Sequence, residues 1–409
     1  MAKLENILQQ IADLESQTKI KRTLLAVCPN SISVIKAAFR AAKRNNSPIL
    51  FAATLNQVDT DGGYTGLNHQ EFIKLLKIES ETINYKGPYI AAIDHGGPWL
   101  KDIQAIEKWD LEKAMSAVKK SFESAIAAGF DMIHVDPTVD IFLPKDETIN
   151  IKTVVERTIE LIMHAETFRR KHNYPTISYE VGTEEVHGGL ADEKVFDIFI
   201  NELKKGLEAV NLADVWPCFI VGKVGTDLHT TVFDTKTAKD LSQKVKQFGS
   251  YIKGHYTDGV DNPQDYPTSG MGAANVGPEF TIDEYDALIE LENKEQELDE
   301  LEKIAQLSNM KKTLWKLVYD SKRWIKWLQP DEKDKSFDQL TYERKEWLIK
   351  TGCRYIWQHP EASVARLKLY DNLKRNGIDA EAVVLEKIEH TMDKYFYAFN
   401  IVNLNDYLK

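Results

Sequence analysis

Residues 89–97 read YIAAIDHGG, a run of apolar residues that ends in Asp94 and His95. Seven further segments of the chain are also mainly apolar and of similar length. They are TLLAVCP (23–29), PILFAATLN (48–56), MIHVDPT (132–138), TISYEVGTE (176–184), PCFIVGKVG (217–225), YIKGHYTDG (251–259) and MGAANVGPEF (271–280). Continuous apolar runs are typical of parallel strands that are covered on both faces. The sequence therefore predicts eight buried strands.

Segments with helical periodicity separate these runs, among them SISVIKAAFRAAKRNN (31–46) and LEKAMSAVKKSFESAIAAG (111–129). Eight strands that are each followed by a helix make up a closed (β/α)8 TIM barrel. An open doubly wound sheet is the alternative, but no G-x-G-x-x-G follows the first run. We predict an α/β fold of the (β/α)8 TIM-barrel type.

The pattern divides the chain into three parts. Residues 1–22 form an amphipathic N-terminal helix, residues 23–290 form the barrel, and residues 291–409 show helical periodicity without a clear strand. The last part contains five of the eight tryptophans. We expect a helical C-terminal extension that packs on or over the barrel.

Composition narrows the functional class. The formal net charge of -11 argues against binding nucleic acid, which needs a basic surface. The three cysteines are too few and too scattered for a disulfide framework or a thiolate zinc site. No apolar run reaches the ~20 residues that span a bilayer, and the N-terminus lacks the apolar core of a signal peptide. We expect a cytoplasmic protein without a membrane partner.

Polar residues follow the predicted strands, where the reactive groups of such barrels lie. Three imidazoles at strand ends suggest a divalent-metal site, because neutral imidazoles suit Zn²⁺ and similar ions, with Mn²⁺, Co²⁺ or Ni²⁺ as alternatives. The predicted ligands are His95, His229 and His255. Asp94 is either a proton-transfer base or a carboxylate that orients a ligand histidine. A single histidine at a strand end is more often structural, and His134 with Asp136 is interpreted as a polar pair of the barrel interior.

Two lysines lie on or beside strands, Lys223 and Lys253. A lysine inside a barrel can form a Schiff base with a ketose carbonyl, so Lys223 supports a metal-free aldolase as one alternative. Either lysine can instead pair with a carboxylate or with a substrate phosphate.

Several blocks resemble a known family: NQVDTDGGYTG (56–66), IDHGGP (93–98), IHVDPT (133–138), VGTE (181–184), GHYTD (254–258), NVGPEF (275–280) and RYIWQHP (354–360). The chain resembles the tagatose-bisphosphate aldolase subunits that are usually labelled non-catalytic. These are similar to class II fructose- and tagatose-bisphosphate aldolases. The resemblance implies catalytic roles for Asp94 and Glu180 and metal binding by the three histidines. The residues that we expect to bind substrate are Asn56, Gln57, Asp136, Lys223, Lys253, Asn275 and Arg354.

One block departs from the class II pattern. YTDGVDNPQDYPTSG (256–270) stands where those aldolases carry a Gly-rich, Ser-containing loop that binds phosphate. The phosphorylation state of the substrate therefore stays open. Arg354 is a candidate for phosphate, because a guanidinium binds phosphate with two parallel hydrogen bonds.

These residues predict a metal-dependent enzyme that acts on a ketose or ketose phosphate of the tagatose or fructose type. Asp94 would deprotonate the C4 hydroxyl, and retro-aldol cleavage would follow. If the fragments are released, the enzyme is an aldolase. If the aldehyde turns and is added again through its other face, the enzyme is a C4-epimerase. The alternative is a non-catalytic subunit that stabilises a class II aldolase. A homo-oligomer is also possible, and the extension is a candidate lid.

Overall fold

The computed structural model describes residues 1–144, 147–182, 189–227 and 229–409. Eight parallel strands form a closed barrel in which each strand pairs with its neighbours in the chain and the last pairs with the first. The strands are β1 Leu24–Val27, β2 Ile49–Thr54, β3 Tyr89–Gly96, β4 Met132–Val135, β5 Ser178–Gly182, β6 Phe219–Val221, β7 Tyr251–Gly254 and β8 Ala273–Val276. This confirms the predicted TIM barrel, and each strand lies within one of the eight apolar runs.

Helices surround the barrel and continue beyond it. They are α1 Lys3–Thr18, α2 Ile32–Arg44, α3 His69–Thr82, α4 Asp102–Ile106, α5 Leu111–Ala128, α6 Ile151–Lys171, α7 Glu193–Ala209, α8 Thr235–Lys246, α9 Asp265–Ser269, α10 Pro278–Glu300, α11 Met310–Ser321, α12 Tyr342–Gly352, α13 Pro360–Arg375 and α14 Ala380–Ala398. A two-stranded antiparallel pair, Gly189–Leu190 with Val224–Gly225, lies outside the barrel. None of the helices in the described ranges has the length and apolarity that crossing a membrane requires.

The amino-terminal end of the barrel is covered by α1. The apolar face of this helix is buried, and it includes Leu4, Leu8 and Ile11. The Lys3 ammonium contacts the carbonyl of Tyr89 at the start of β3. Functional groups are therefore expected at the opposite, carboxyl-terminal end of the strands.

The end of β3 is irregular. Its register with β4 shifts between Ile93 and Gly96, and His95 has a φ of 49°. This left-handed conformation is uncommon for a residue with a side chain and redirects the His95 ring relative to a regular strand. A Cβ at Gly97 would lie 1.8 Å from the carbonyl oxygen of Asp136, so only glycine fits there. The two glycines of YIAAIDHGG thus allow the backbone of β3 to approach that of β4.

The C-terminal extension contacts the loops that follow the strands. Arg323 contacts Asp102 after β3, and the rings of Trp347 and His229 lie 5.1 Å apart. Tyr395 donates a hydrogen bond to the carbonyl of Thr257 after β7, over 3.2 Å. The extension therefore covers the carboxyl-terminal end of the barrel.

Candidate metal and substrate site

Polar side chains from five strands and the residues just after them meet at the carboxyl-terminal end of the barrel interior. They are Asp94, His95, His134, Asp136, Glu180, Lys253, His255 and Asn275. All except His95 are at most 4% exposed. Burial of so many charged groups is unfavourable unless each is paired or hydrogen-bonded. We call these eight residues the barrel-mouth cluster.

Asp94 is held at the centre of the cluster. Its Oδ2 accepts a hydrogen bond from Asn275 Nδ2 over 3.0 Å, and its Oδ1 lies 3.3 Å from Lys253 Nζ. Burial would raise the pKa of Asp94, but the Lys253 ammonium and the neighbouring imidazoles outweigh burial and hold it well below its usual value. Asp94 is therefore a carboxylate at neutral pH and can accept a proton from a hydroxyl.

Glu180 holds two other members of the cluster. Lys253 Nζ donates to both of its oxygens, over 2.8 and 3.0 Å, and His255 Nε2 lies 3.1 Å from Oε1. Burial opposes ionisation, but Lys253 and the imidazoles lower the pKa of Glu180 to about 2. The same carboxylates raise the pKa of Lys253 against the effect of burial. Lys253 is thus a buried ammonium and not a free nucleophilic amine.

His95 is fixed by two residues of β4 and its end. Its backbone amide donates to Nδ1 of His134 over 3.1 Å, and its ring Nδ1 lies 2.6 Å from Oδ2 of Asp136. Burial would lower the pKa of His95, but the carboxylates of Asp94 and Asp136 raise it to about 9. The other ring nitrogen, Nε2, faces Asp94 Oδ2 at 3.9 Å.

The ring of His255 contacts the carboxylate of Glu180 through one nitrogen, as the ring of His95 contacts that of Asp136. If Nε2 donates to Glu180, Nδ1 carries the lone pair, and this buried Nδ1 has no hydrogen-bond partner among the described residues. Burial is the largest effect on this ring and lowers the pKa of His255 to about 4, so the imidazole is neutral. A neutral imidazole bound to a carboxylate through one nitrogen and free at the other is the usual form of a metal-ligating histidine.

The cluster fits a divalent cation. The ring centroids of His95, His134 and His255 lie 4.6 to 5.4 Å from one another. Two groups of residues have potential ligand atoms within 4.8 Å of one another. One contains Asp94, His134, Glu180 and His255, and the other contains His95, His134 and Asp136. Three carboxylates outnumber the Lys253 ammonium and the His95 ring, whose pKa is raised, so the cluster favours a cation. Imidazole together with carboxylate suits zinc and related metals.

His134 differs from the other two histidines in the nitrogen that it leaves free. Its Nδ1 accepts from the His95 amide over 3.1 Å and also lies 3.4 Å from Asp94 Oδ1, so with the amide as the donor to Nδ1 the ring carries its hydrogen on Nε2. This Nε2 is buried and has no hydrogen-bond partner in the described parts of the chain. A Cβ at Gly182 would lie 3.5 Å from it, so the absence of a side chain at Gly182 leaves space beside this donor. His134 therefore presents an N–H group to the mouth of the barrel.

The structure does not bring His229 into the cluster. This residue lies on the loop after β6, its amide donates to Asp227 Oδ1, and its exposed ring packs against Trp347 of the extension. Neither group of potential ligand atoms in the described ranges includes it. Of the three predicted ligands, His95 and His255 lie beside the predicted base Asp94. The third histidine of the cluster is His134, which was not among the predicted ligands.

The other predicted substrate residues have different surroundings. Asn56 uses both ends of its amide to bind the backbone of Leu100 and Asp102, which ties two loops together. Lys223 lies beside the short antiparallel pair, where its carbonyl accepts from the Ala191 amide. The second half of the VGTE block, Thr183 and Glu184, lies outside the described residues.

Gln57 and Arg354 lie nearer the mouth. Gln57 is buried and donates to Asn30 Oδ1 over 2.7 Å, and Arg354 is a buried residue of the extension. Sequence reasoning did not select Asn30, and it assigned His134 only to the interior. The inward alternation of His134 with Asp136 and the pairing of His134 with Glu180 in the sheet are the signals that identify His134.

Comparisons with known proteins agree with this fold. A family model described as "D-tagatose-1,6-bisphosphate aldolase subunit GatZ/KbaZ-like" matches residues 8–394. A probable tagatose 6 phosphate kinase from Sinorhizobium meliloti 1021 aligns over 92% of this chain and 100% of its own, with 21% identity and a TM-score of 0.75. A fructose-bisphosphate aldolase from Campylobacter jejuni aligns over 98% and 95%, with 13% identity and a TM-score of 0.57. At these identities the two structures establish the shared fold alone.

Proposed function

The chain belongs to the D-tagatose-1,6-bisphosphate aldolase subunit GatZ/KbaZ-like family, and we propose that it is a metal-dependent enzyme that breaks the C3–C4 bond of a ketose or ketose phosphate. The observation that carries this proposal is the Asp94 carboxylate, whose pKa is held well below its usual value, beside the rings of His95 and His255. Nε2 of His95 lies 3.9 Å from Asp94 Oδ2, and the buried Nδ1 of His255 has no hydrogen-bond partner among the described residues. Cleavage first gives an aldehyde and an enediolate. The enzyme is an aldolase if these two fragments are released, and a C4-epimerase if they recombine with inversion at C4.

Nε2 of His95, which lies 3.9 Å from Asp94 Oδ2, and Nδ1 of His255 would hold the divalent ion, Zn²⁺ or a related metal. Asp136 and Glu180 fix the two rings by accepting hydrogen bonds from their other nitrogens. When bound, such an ion acts as a Lewis acid that polarises the substrate carbonyl. The third ligand predicted from the sequence, His229, would need its loop to move toward the barrel mouth to join them.

Asp94 carries out the proton transfer. Its carboxylate takes the proton of the C4 hydroxyl, the C3–C4 bond breaks, and C4 becomes an aldehyde carbon. The electron pair of that bond passes to C3 and the C2 carbonyl, which leaves an enediolate. Asn275 keeps Asp94 in place through its hydrogen bond to Oδ2. Return of the proton from Asp94 completes the reverse, bond-forming reaction.

His134 donates from Nε2 to a substrate oxygen. Its hydrogen bond from the His95 amide keeps the donor on Nε2, and burial keeps water from competing for that donor. A donor that is fixed in advance stabilises negative charge as it develops on an oxygen during bond cleavage. His134 is therefore assigned to substrate binding and charge stabilisation, whereas Glu180 is a positioning residue for Lys253 and His255.

Cleavage and epimerisation share these steps. If the aldehyde leaves and the enediolate takes up a proton at C3, the net reaction is an aldol cleavage. If it turns before the C3–C4 bond forms again, the configuration at C4 is inverted and no atoms are lost. The cover that the extension provides over the strand ends supports retention of the aldehyde, and with it the epimerase.

A non-catalytic subunit of an aldolase complex is the second candidate, because the family description itself names a subunit. In that case the barrel would stabilise a separate catalytic chain. Against this candidate, the buried Asp94 carboxylate and the unpartnered nitrogens of His134 and His255 give the barrel no more stability than a packed apolar interior would.

A ketose and ketose-phosphate panel tests the proposal. The purified protein is assayed alone with EDTA and then with added Zn²⁺, Mn²⁺, Co²⁺ or Ni²⁺, and the products are resolved by NMR. We expect metal-dependent formation of a C4-epimer or of two shorter fragments. No turnover by the metal-loaded protein alone, together with stimulation of a class II aldolase mixed with it, would support the subunit candidate instead.

A further inference from the structure

Arg354 is a buried cation that the extension places near the barrel mouth. It lies in the turn Cys353–Tyr355 and is 6% exposed. Its guanidinium lies 4.7 Å from the ring of Trp327 and 4.9 Å from that of Tyr355. Aromatic rings stabilise a cation from their faces but leave its hydrogen-bond donors available.

No carboxylate pairs with Arg354 in the described parts of the chain, and its Nη2 has no hydrogen-bond partner there. Arg344 of the same extension shows the contrast, because it binds Glu332 through two nitrogens over 2.7 and 2.8 Å. A buried charge without an opposite charge is unfavourable, so an anion at Arg354 would be strongly favoured.

Asn30 supplies a second unpartnered donor nearby. It follows β1 and is 3% exposed, and its Oδ1 accepts from Gln57 Nε2 over 2.7 Å and from the Tyr64 hydroxyl over 3.0 Å. These bonds orient the amide so that Nδ2 is left without a partner. The ring of Tyr64 lies 5.3 Å from that of Tyr355, the neighbour of Arg354.

The place where many TIM barrels bind phosphate is already filled. That site uses the loops after the last two strands and the start of a following helix. Here Asp258 Oδ1 accepts from the amides of Gly277 and Glu279 at the start of α10, over 2.8 Å each. The Asp258 side chain thus occupies the amides that an anion would use at the start of α10.

Sheet pairing places Asn30 close to the barrel-mouth cluster. It lies three residues beyond Val27, which pairs with Val276 of β8, and the preceding residue of β8, Asn275, donates to Asp94. On its other side Asn30 is joined to the extension through Tyr64, whose ring contacts that of Tyr355. Asn30 therefore lies between the cluster and the part of the extension that carries Arg354.

We propose that Arg354 and Asn30 bind an anionic group, a phosphate or a carboxylate, at the end of the substrate remote from Asp94. This inference rests on the proposed function for the reacting end of the molecule. The C-terminal extension then does more than cover the barrel, because it supplies the residue that selects anionic over uncharged ketoses.

Calorimetric titration tests the site without turnover. Wild-type protein is titrated with inorganic phosphate, a ketose 6-phosphate, a hexuronate and the uncharged ketose. We expect the anionic ligands to bind at least about tenfold more tightly than the uncharged one, as a charge-assisted contact predicts. A preference for the phosphates or for the hexuronate distinguishes phosphate from carboxylate as the natural group.

Three variants locate the binding. Arg354→Met removes the charge at similar size and should lose at least about tenfold in phosphate affinity, whereas Asn30→Ala should lose about threefold. Arg375→Met changes an exposed arginine of the extension and should bind as wild type does. Asn30→Ala also serves if Arg354→Met does not fold. Unchanged phosphate affinity in both site variants, or no binding of any anion by wild type, would overturn the proposal.

The same titration separates this inference from the proposed function. Asp94→Asn protein should bind phosphate with wild-type affinity, because Asp94 lies at the other end of the ligand. Phosphate binding that depends on Arg354 in a protein without turnover on any sugar would support the anion site and contradict the proposed enzyme.

Discussion

The backbone amide of His95 donates a hydrogen bond to Nδ1 of His134 over 3.1 Å. This contact joins the irregular end of β3 to β4 and fixes two properties at once. It stabilises the left-handed backbone of His95, and it leaves the hydrogen of His134 on Nε2. The same hydrogen bond therefore helps to position the His95 ring, which is proposed to bind the metal, and the His134 ring, which is proposed to donate to the substrate.

Removal of the His134 donor should affect turnover more than metal binding. His134→Ala is expected to lower kcat about 100-fold, the usual effect of losing one fixed donor at a developing oxyanion. His134→Gln should recover part of this loss, because its amide places an N–H near the position of Nε2. Kinetics together with metal content by mass spectrometry check the prediction. A loss of metal in His134→Ala that matches the loss of activity would make His134 a ligand instead.

Metal binding should distinguish His255 from His229. His255→Ala removes a free ring nitrogen inside the cluster, so its affinity for Zn²⁺ should fall at least about 100-fold. His229→Ala changes an exposed ring that packs on Trp347, and its affinity should stay within about twofold of wild type. Competition with a fluorescent chelator measures both. Equal losses in the two variants would show that the loop after β6 moves to bring His229 to the metal.

We predict that the Asp258 side chain prevents phosphate from binding at the start of α10. Asp258→Ala frees the amides of Gly277 and Glu279, and a free helix N-terminus binds anions. We expect this variant to bind a second equivalent of phosphate in a calorimetric titration. Loss of the cap should cost about 1 kcal/mol of folding stability. Binding of only one equivalent of phosphate by both wild type and Asp258→Ala would show that Asp258 is not what prevents phosphate from binding at the start of α10.

Stability should depend on pH through Asp283 of α10. Burial raises the pKa of this carboxyl to about 7, and Glu279 adds to the effect while Thr391 opposes it. Because the folded state holds the proton more tightly than the unfolded state, Asp283 lowers stability as pH rises from about 4 to 7. Asp283→Asn should therefore gain on the order of 2 kcal/mol over wild type at pH 8 and little at pH 4.

Denaturant unfolding at the two pH values measures this difference. Asp214→Asn is the control, since the Asp214 side chain is 70% exposed and its ion pair with Arg170 lies at the surface, so the effect of the substitution should be small at both pH values. A gain for Asp283→Asn that is as large at pH 4 as at pH 8 would show that packing, and not ionisation, causes it.

The barrel could be predicted because each strand is a short apolar run with helical segments between the runs. Local pattern also selected Asp94, His95 and His255 as candidates, because they lie at or just after strand ends, where a TIM barrel brings side chains together. Glu180 and Lys253 followed from the same positions, although their ion pair inside the barrel depends on which strands face each other across it.

Other parts of the site depend on contacts that no local pattern encodes. His229 has the spacing of a metal-ligand motif, but its loop leaves the mouth and packs against Trp347, more than 100 residues later in the chain. His134 depends on the amide of His95, which only the shifted register of β3 directs toward it. Asn30 and Arg354 lie near each other only because the extension folds back over the strand ends.

Comparison of Asp94→Asn with wild type, both fully loaded with the same divalent metal, tests the central claim most directly. The amide keeps the size of the side chain but cannot accept the proton, so kcat on the best ketose of the panel should fall at least about 1000-fold, near the upper range for a positioned proton acceptor. Metal content and phosphate affinity should stay at wild-type values. Wild-type turnover in metal-loaded Asp94→Asn would contradict the account, because no other carboxylate is assigned to that proton.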